Sequence, residues 1–452
     1  MSNWLSVQAD FDRDLVSDYG GSVRYLMINM KARDILEQSG FHGDTECDID
    51  MQAGHPLNLV LVIDASSSMT GKYLEKAKAA ASQIVKGLCK RDFISIVSFS
   101  DRANVHVDGV SCDDRGRRNA LRAIEALTPE LNTNLSEGWM TGARCAAKVM
   151  AKHPESTSHV LILTDGYANR GVLNKKTLAD HARNMQERGL TTSTIGIGSD
   201  YSVEQIHAIA INGGGMVHHA PESEELVAIV SGELSSLRNR VVENIEIEIE
   251  FPDFVQIEVL SILRSDLRDG LLYVGAGGLE SGAQRSFVVR VVVPQKTNDL
   301  PEELPFKIKV YYRSTVEDQE KELQAEALLT YVDYEASSAQ APNFKLTIAL
   351  AKSWVAWAVY QLAEFNRQRQ YLKGANFGER EVRYMKRLGK SVNEVLNLAL
   401  VLEQARVSVG QDWGEYSRME IQASSFQTSF SVPDYRTKRP SEWQTFLPNL
   451  SD

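Results

Sequence analysis

The 452-residue chain predicts a doubly wound α/β domain inserted in an antiparallel β-sandwich, with a C-terminal helical hairpin. Three observations carry this. From about residue 57 to 237, short apolar runs alternate with amphipathic helical patterns, the signature of a parallel sheet covered on both faces. From 244 onward the pattern changes to strands parted by Pro and Gly turns, headed by Asn244-Ile-Glu-Ile-Glu-Ile-Glu-Phe251 with its period of two. The strong strand pattern of Ser22–Met30 precedes the α/β region and has too few neighbours to build a core alone.

Residues 1–50 predict strands near 5–11 and 22–30, and a turn-rich linker over 40–54. Because these strands need company, they are expected to complete the later sandwich. The α/β domain, 55–237, predicts strands near 57–63, 93–99, 159–164, 191–197 and 215–219. Helices fall near 71–89, 115–127, 135–151, 174–188, 202–210 and 222–237. In the first of these, Leu74, Ala77, Ala81, Ile84, Val85 and Leu88 form one apolar stripe. Val105-His-Val107 predicts a short antiparallel edge. The sandwich, 240–335, adds strands near 255–262, 271–274, 285–293, 305–313 and 322–332. Residues 343–406 predict the hairpin, two long helices broken at Gly374-Ala-Asn-Phe-Gly378. The last part, 407–452, loses periodicity but keeps aromatics, which predicts an extended tail docked on the body or on a partner.

The formal net charge of −11 argues against nucleic acid as a partner. The short basic clusters Arg115-Gly-Arg117-Arg118 and Lys386-Arg387 fit solvated helix faces. The apolar stretch Leu346–Ala363 is interrupted by Lys352, Ser353 and Gln361, so a buried helix is expected and no membrane span. No signal-peptide pattern opens the sequence. Cys47, Cys89, Cys112 and Cys145 lack metal-binding spacing and fit reduced thiols. Together these features predict a cytoplasmic location.

The richest local pattern is Asp64-Ala-Ser66-Ser67-Ser68, directly after the apolar run Leu59–Ile63. In open α/β sheets ligands bind outside the carboxyl ends of strands. A carboxylate and alternate hydroxyls, with no Cys or His, suit a small hard cation such as Mg²⁺. Two further segments complete the pattern: Leu131-Asn-Thr133-Asn134 before an apolar helix, and the strand His159–Thr164 ending in Asp165-Gly166.

In order and spacing, the D-x-S-x-S, Thr and T-D-G elements resemble the metal-ion-dependent adhesion site of von Willebrand factor type A domains, which are Rossmann-like. Thr194-Ile-Gly-Ile-Gly198 and Asn212-Gly-Gly-Gly215 fit that family's last strands and turns. The resemblance covers roughly residues 55–235. It implies a metal set of Asp64, Ser66, Ser68, Thr133 and Asp165, holding Mg²⁺ or Mn²⁺, with an Asp or Glu of a partner protein as the remaining ligand. Residues expected to meet that partner are Met69, Thr70, Tyr73, Asn134, Tyr167 and Asn169, with Asn134 also suited to capping the next helix. The insertion into a sandwich is similar to that in integrin β subunits. Relatives of this kind in bacteria work beside MoxR-type AAA+ ATPases or in kinase–phosphatase or defence systems.

The expected function is therefore a non-catalytic, Mg²⁺-dependent adaptor or scaffold. The alternative is a structural self-assembly protein in which the metal site is only structural. Enzyme readings fit less well. A haloacid-dehalogenase-type phosphatase needs a second acid where Ser66 stands, and a later strand-end lysine. A serine hydrolase needs a G-x-S-x-G elbow, and His106 or His159 lacks an evident pairing. His218-His219 point to opposite strand faces and are expected as surface or capping residues. Gly213–Gly215 fits a tight turn, not a phosphate cradle.

Overall fold

The computed structural model describes residues 3–35, 55–198, 201, 203–220 and 225–430. The linker over 40–54, Cys47 and the tail beyond Phe430 lie outside the described residues. The chain opens with β1 (Leu5–Phe11), β2 (Leu15–Ser17) and β3 (Ser22–Ala32).

The α/β domain follows. Its strands are β4 (Leu57–Asp64), β5 (Phe93–Phe99), β6 (Ala103–Ser111), β7 (Thr157–Thr164), β8 (Leu190–Ile197) and β9 (Gly214–Ala220). They form one sheet in the order β6-β5-β4-β7-β8-β9, parallel except at the β5–β6 edge. The edge is longer than the Val105–Val107 pattern suggested, because its outer face is polar. The helices are α1 (Lys72–Gly87), α2 (Asp114–Glu125), α3 (Leu135–Met150), α4 (Lys175–Gln186), α5 (Val203–Asn212) and α6 (Leu226–Arg238). Strand β4 is buried along its whole length. Leu59, Leu61 and Ile63 pack with the α1 stripe on one side, and Val60 and Val62 pack with Trp139 of α3 on the other. This two-sided burial explains the unbroken apolar run.

The remaining strands are β10 (Arg240–Glu250), β11 (Gln256–Val259), β12 (Arg264–Arg268), β13 (Leu271–Glu280), β14 (Gln284–Val293), β15 (Glu303–Ser314) and β16 (Gln319–Val332). They build two sheets, β1-β3-β14-β11 and β12-β13-β10-β15-β16-β2. Strand β3 runs antiparallel to β14 in unbroken register from Ser22↔Val293 to Lys31↔Gln284. Phe11 and Phe306 meet edge-on at 5.1 Å in the core between the sheets. The N-terminal strands thus pair with strands that follow the α/β domain. Strand β12 escaped the sequence reading because Arg264-Ser-Asp-Leu-Arg268 carries no apolar alternation.

The C-terminal part corrects the hairpin expectation. After the short α7 (Tyr334–Ala339) come, among the described residues, four helices: α8 (Phe344–Arg367), α9 (Tyr371–Leu388), α10 (Asn393–Ser408) and α11 (Glu415–Phe430). The first break falls at Gln368–Gln370, with Arg369 at φ 55°. Gly374 and Gly378 lie inside α9, where they allow close helix packing. A Cβ on Gly378 would stand 2.7 Å from the Arg406 side chain, and one on Gly374 3.0 Å from Phe365. The extended-tail expectation is also corrected over 415–430. There Met419, Ile421, Phe426 and Phe430 are buried, and α11 packs on α8, β9 and β14. No helix among the described residues is long and apolar enough to cross a membrane.

The paired histidines are buried, not superficial, and do face opposite ways. His218 Nε2 lies 2.6 Å from Glu233 of α6, while His219 contacts Tyr201 and lies 3.4 Å from Glu420 of α11. Glu233 also accepts from Ser193 and lies 3.6 Å from His159 Nε2. Burial pushes the Glu233 carboxyl up, but His218, His159 and Ser193 together hold it at about 2. Burial holds His159 and His207 down at about 3. An unfolded histidine titrates near ~6.5. Between those values the unfolded chain takes up protons that the folded one refuses, so stability falls as pH drops below about 6.5. The Glu233 carboxyl, held below its ordinary value of 4.5, contributes stability that is lost as pH falls from there towards 2, so it steepens only the acid end of that window. Urea midpoints at successive pH values should therefore decline on acidification, the unfolding free energy they report falling by roughly 1.4 kcal/mol per pH unit for each such histidine. His159→Gln should shallow the slope. Equal midpoints across the window would contradict this account.

Candidate metal site

The centre of the sheet sets the site. Strand β4 has β5 on one side and β7 on the other, so the crossover direction reverses between β4 and β7. Such a switch point leaves a crevice at the carboxyl ends of the strands. Asp64 ends β4, and Asp165 follows the last residue of β7. Beyond Asp64 the chain turns through a 3₁₀ segment, Ser67–Met69, before α1.

Asp64 is fully buried. Its Oδ1 accepts the Ser66 amide at 2.8 Å, and its Oδ2 accepts the Thr164 hydroxyl at 2.6 Å. Burial still raises its carboxyl above the usual range, against the donors Ser66 and Thr164. Ser66 Oγ and Ser68 Oγ lie 3.0 Å apart, and the Ser68 hydroxyl donates to Asp165 Oδ1 at 2.8 Å. Thr133 is buried on the loop before α3. Gly166 marks where these oxygens meet. A Cβ built there would lie 3.2 Å from Ser68 Oγ, 3.5 Å from Thr133 Oγ1 and 3.7 Å from Asp64 Oδ2. Asp64, Ser66, Ser68, Thr133 and Asp165 thus share one small crest. Its donors are all oxygen. Among the described residues no group of three or more His, Cys, Asp or Glu side chains is arranged to hold a metal.

The surrounding residues divide by role. Met69 was expected to face a partner, but it is fully buried and packs in the core beside α1. Asn134 caps α3, its Oδ1 accepting from the Glu137 amide. Asn169 is exposed, yet its Oδ1 accepts the Thr133 amide at 3.1 Å and its amide donates to Thr133 O at 3.0 Å. It fixes the Thr133 loop. The Thr70 hydroxyl donates to Ser67 O at 2.7 Å. Tyr73 is half-buried, and Tyr167 is 54% exposed on the rim. Sequence reasoning missed Ser100, Asp101 and Glu130, and read Thr164 only as part of the T-D-G element, without its bond to Asp64. The Ser100 hydroxyl donates to Glu130, Asp101 accepts both Nδ2 bonds of Asn132, and the Asn134 amide donates to Ser100 O. These bonds tie the end of β5 to the Thr133 loop. The signal was present, since Ser98-Phe-Ser100-Asp101 is another polar strand end.

The fold and this crest define a doubly wound α/β domain with an oxygen-lined site at its switch point. Residues 58–232 match the von Willebrand factor type A domain, and this part of the chain is a domain of that family. The family is one of protein-interaction modules. The chain is 26% identical over 249 residues to inter-alpha-trypsin inhibitor heavy chain H3 of Pongo abelii, a match covering 54% of this chain and 28% of that protein. It thus spans under a third of the length of that curated relative. Two solved structures share the whole architecture. One is a von Willebrand factor type A protein from Catenulispora acidiphila, with TM-score 0.65 and 13% identity, covering 93% of this chain and 96% of that one. The other is the ArnB paralog VWA2 from Sulfolobus acidocaldarius, with TM-score 0.57 and 13% identity over 94% and 98%.

Proposed function

We propose that the protein is a non-catalytic, Mg²⁺-dependent binding module, an adaptor that takes an Asp or Glu side chain of a partner protein as the last ligand of the ion. The carrying observation is the convergence of Ser68, Thr133 and Asp64 oxygens on the space beside Gly166. An all-oxygen set of hydroxyls and carboxylates suits Mg²⁺ or Mn²⁺. A Ser68 hydroxyl that donates to Asp165 and accepts from Ser66 still keeps a lone pair for a cation. Asp64, buried without a cationic side-chain partner among its contacts, gains a counter-charge when an ion binds. Neutral hydroxyl ligands leave the ion attractive to an incoming carboxylate. Tyr167 and Thr70 stand at the rim where such a partner would arrive.

Mn²⁺ relaxation or calorimetry should find one weak site in the unmodified protein. Asp64→Ala should abolish it. Thr164→Val removes only the hydroxyl that orients Asp64, and should weaken affinity by about 10–100-fold. Equal binding by all three proteins would sink the reading. Association with a partner that persists in EDTA and in Asp64→Ala would place the interaction elsewhere on the chain.

A further inference from the structure

A second site lies where the three parts of the chain meet. Arg240 opens β10 directly after α6, and Arg285 is the second residue of β14. Both are buried, at 8% and 3% exposure, and both line one cavity with Gly214, Ser236, Glu280 and Phe430. The Arg285 Nη groups donate to the Ala276 and Phe430 carbonyls, and its guanidinium lies 4.7 Å from the Phe430 ring centre. Among the described residues its Nε has no hydrogen-bond partner, and neither has Arg240 Nη1. Neither arginine forms an ion pair with a carboxylate among the described residues. Glu280, the one acid among the described residues on the cavity wall, accepts from the Ser236 hydroxyl.

Two like charges facing one buried space are costly without a counter-ion. We propose that this cavity binds a small monovalent anion, chloride, between Arg240 Nη1 and Arg285 Nε. The geometry limits the ligand. The space open to the centre of a water-sized sphere is about 20 Å³, which accommodates roughly one such particle and excludes phosphate or a carboxylate metabolite. A water molecule would satisfy the two N–H groups but not the charge. With two arginines and one glutamate, the wall carries one net positive charge, which one monovalent anion neutralises. Burial, with Arg240 second, pushes Arg285 down to about 9, consistent with a guanidinium short of negative charge. The cavity walls come from the α/β domain, the sandwich and α11, so the ion would help hold the three together.

The test uses the full chain. Crystals grown with bromide in place of chloride should show an anomalous peak touching Arg240 and Arg285. Ordered density there without anomalous signal would be water and would overturn the site. In solution, chloride should raise the melting midpoint by a few degrees over gluconate at equal ionic strength. Glu280→Gln, which removes the competing negative charge, should enlarge that difference, and Arg240→Gln should erase it. An unmodified protein that melts alike in chloride and gluconate overturns the proposal, whether or not Arg240→Gln folds.

Discussion

Glu381→Ala is expected to destabilise the protein by about 3–5 kcal/mol, because it strands a buried guanidinium. Glu381 is fully buried on α9 and Arg290 is 2% exposed on β14. They bond directly, and Trp354 Nε1 of α8 donates to the same carboxylate at 2.8 Å. The Arg290 guanidinium stands 4.4 Å from the Tyr384 ring centre and 4.9 Å from that of Trp354. This cluster joins the helices to the four-stranded sheet. Removing one partner leaves the other desolvated and poorly compensated, since Glu258 reaches Arg290 only from the half-exposed side. The double change Arg290→Met with Glu381→Leu removes both charges and should recover most of the loss. Urea unfolding of the two singles and the double measures this. A single-variant cost under about 1 kcal/mol would mean that water reaches the cluster.

A chain that starts at His55 is expected to fail as a soluble folded protein, although it keeps the entire von Willebrand factor type A domain. Its loss includes β3, which lies between β1 and β14 in the four-stranded sheet. Removal strips β14 of its partner along ten register pairs, Ser22↔Val293 to Lys31↔Gln284. It also uncovers Phe287, Val289, Val291 and their neighbours. An unpaired apolar edge of that length invites aggregation. Light scattering and size exclusion of the shortened chain provide the measurement. A monodisperse, cooperatively unfolding fragment would show that the sandwich does not depend on the first strands.

Much of this was legible in the sequence, for physical reasons. Strand β4 could be read because burial on both faces leaves an unbroken apolar run, and α1 because its stripe repeats at helical spacing. The candidate metal-site residues stood out because strand-end oxygens have no packing reason to recur at three separate places. What stayed hidden depends on tertiary contact. Thr164 is legible as the first residue of the T-D-G element, but its task of orienting Asp64 shows only once the two strands lie side by side. Met69 follows the serine loop and looks like rim, yet the turn at Ser67–Met69 drives it inward. Gly374 and Gly378 read as a helix break because glycine disfavours helices, while the contacts that favour them there come from Phe365 and Arg406. Helix α11 is built from serines and spaced aromatics, so its apolar face emerges only against α8 and β9. Arg240 and Arg285 are 45 residues apart, and no spacing rule links them.

The pairing of β3 with β14 also sets a schedule for synthesis. Residue 32 leaves the ribosome long before residue 293, the far end of its partner strand. At translation speeds of roughly 5–20 residues per second, that interval lasts on the order of 10–50 s. During it the entire α/β domain emerges and can close on its own local crossovers, while the nascent β1–β3 segment carries Leu26, Ile28 and Met30 with no sheet to enter. Formation of the four-stranded sheet is therefore a late step of high contact order, and intrinsically slow. The waiting segment is where a chaperone would act during biogenesis, and where a premature stop before residue 284 would leave a chain committed to misassembly.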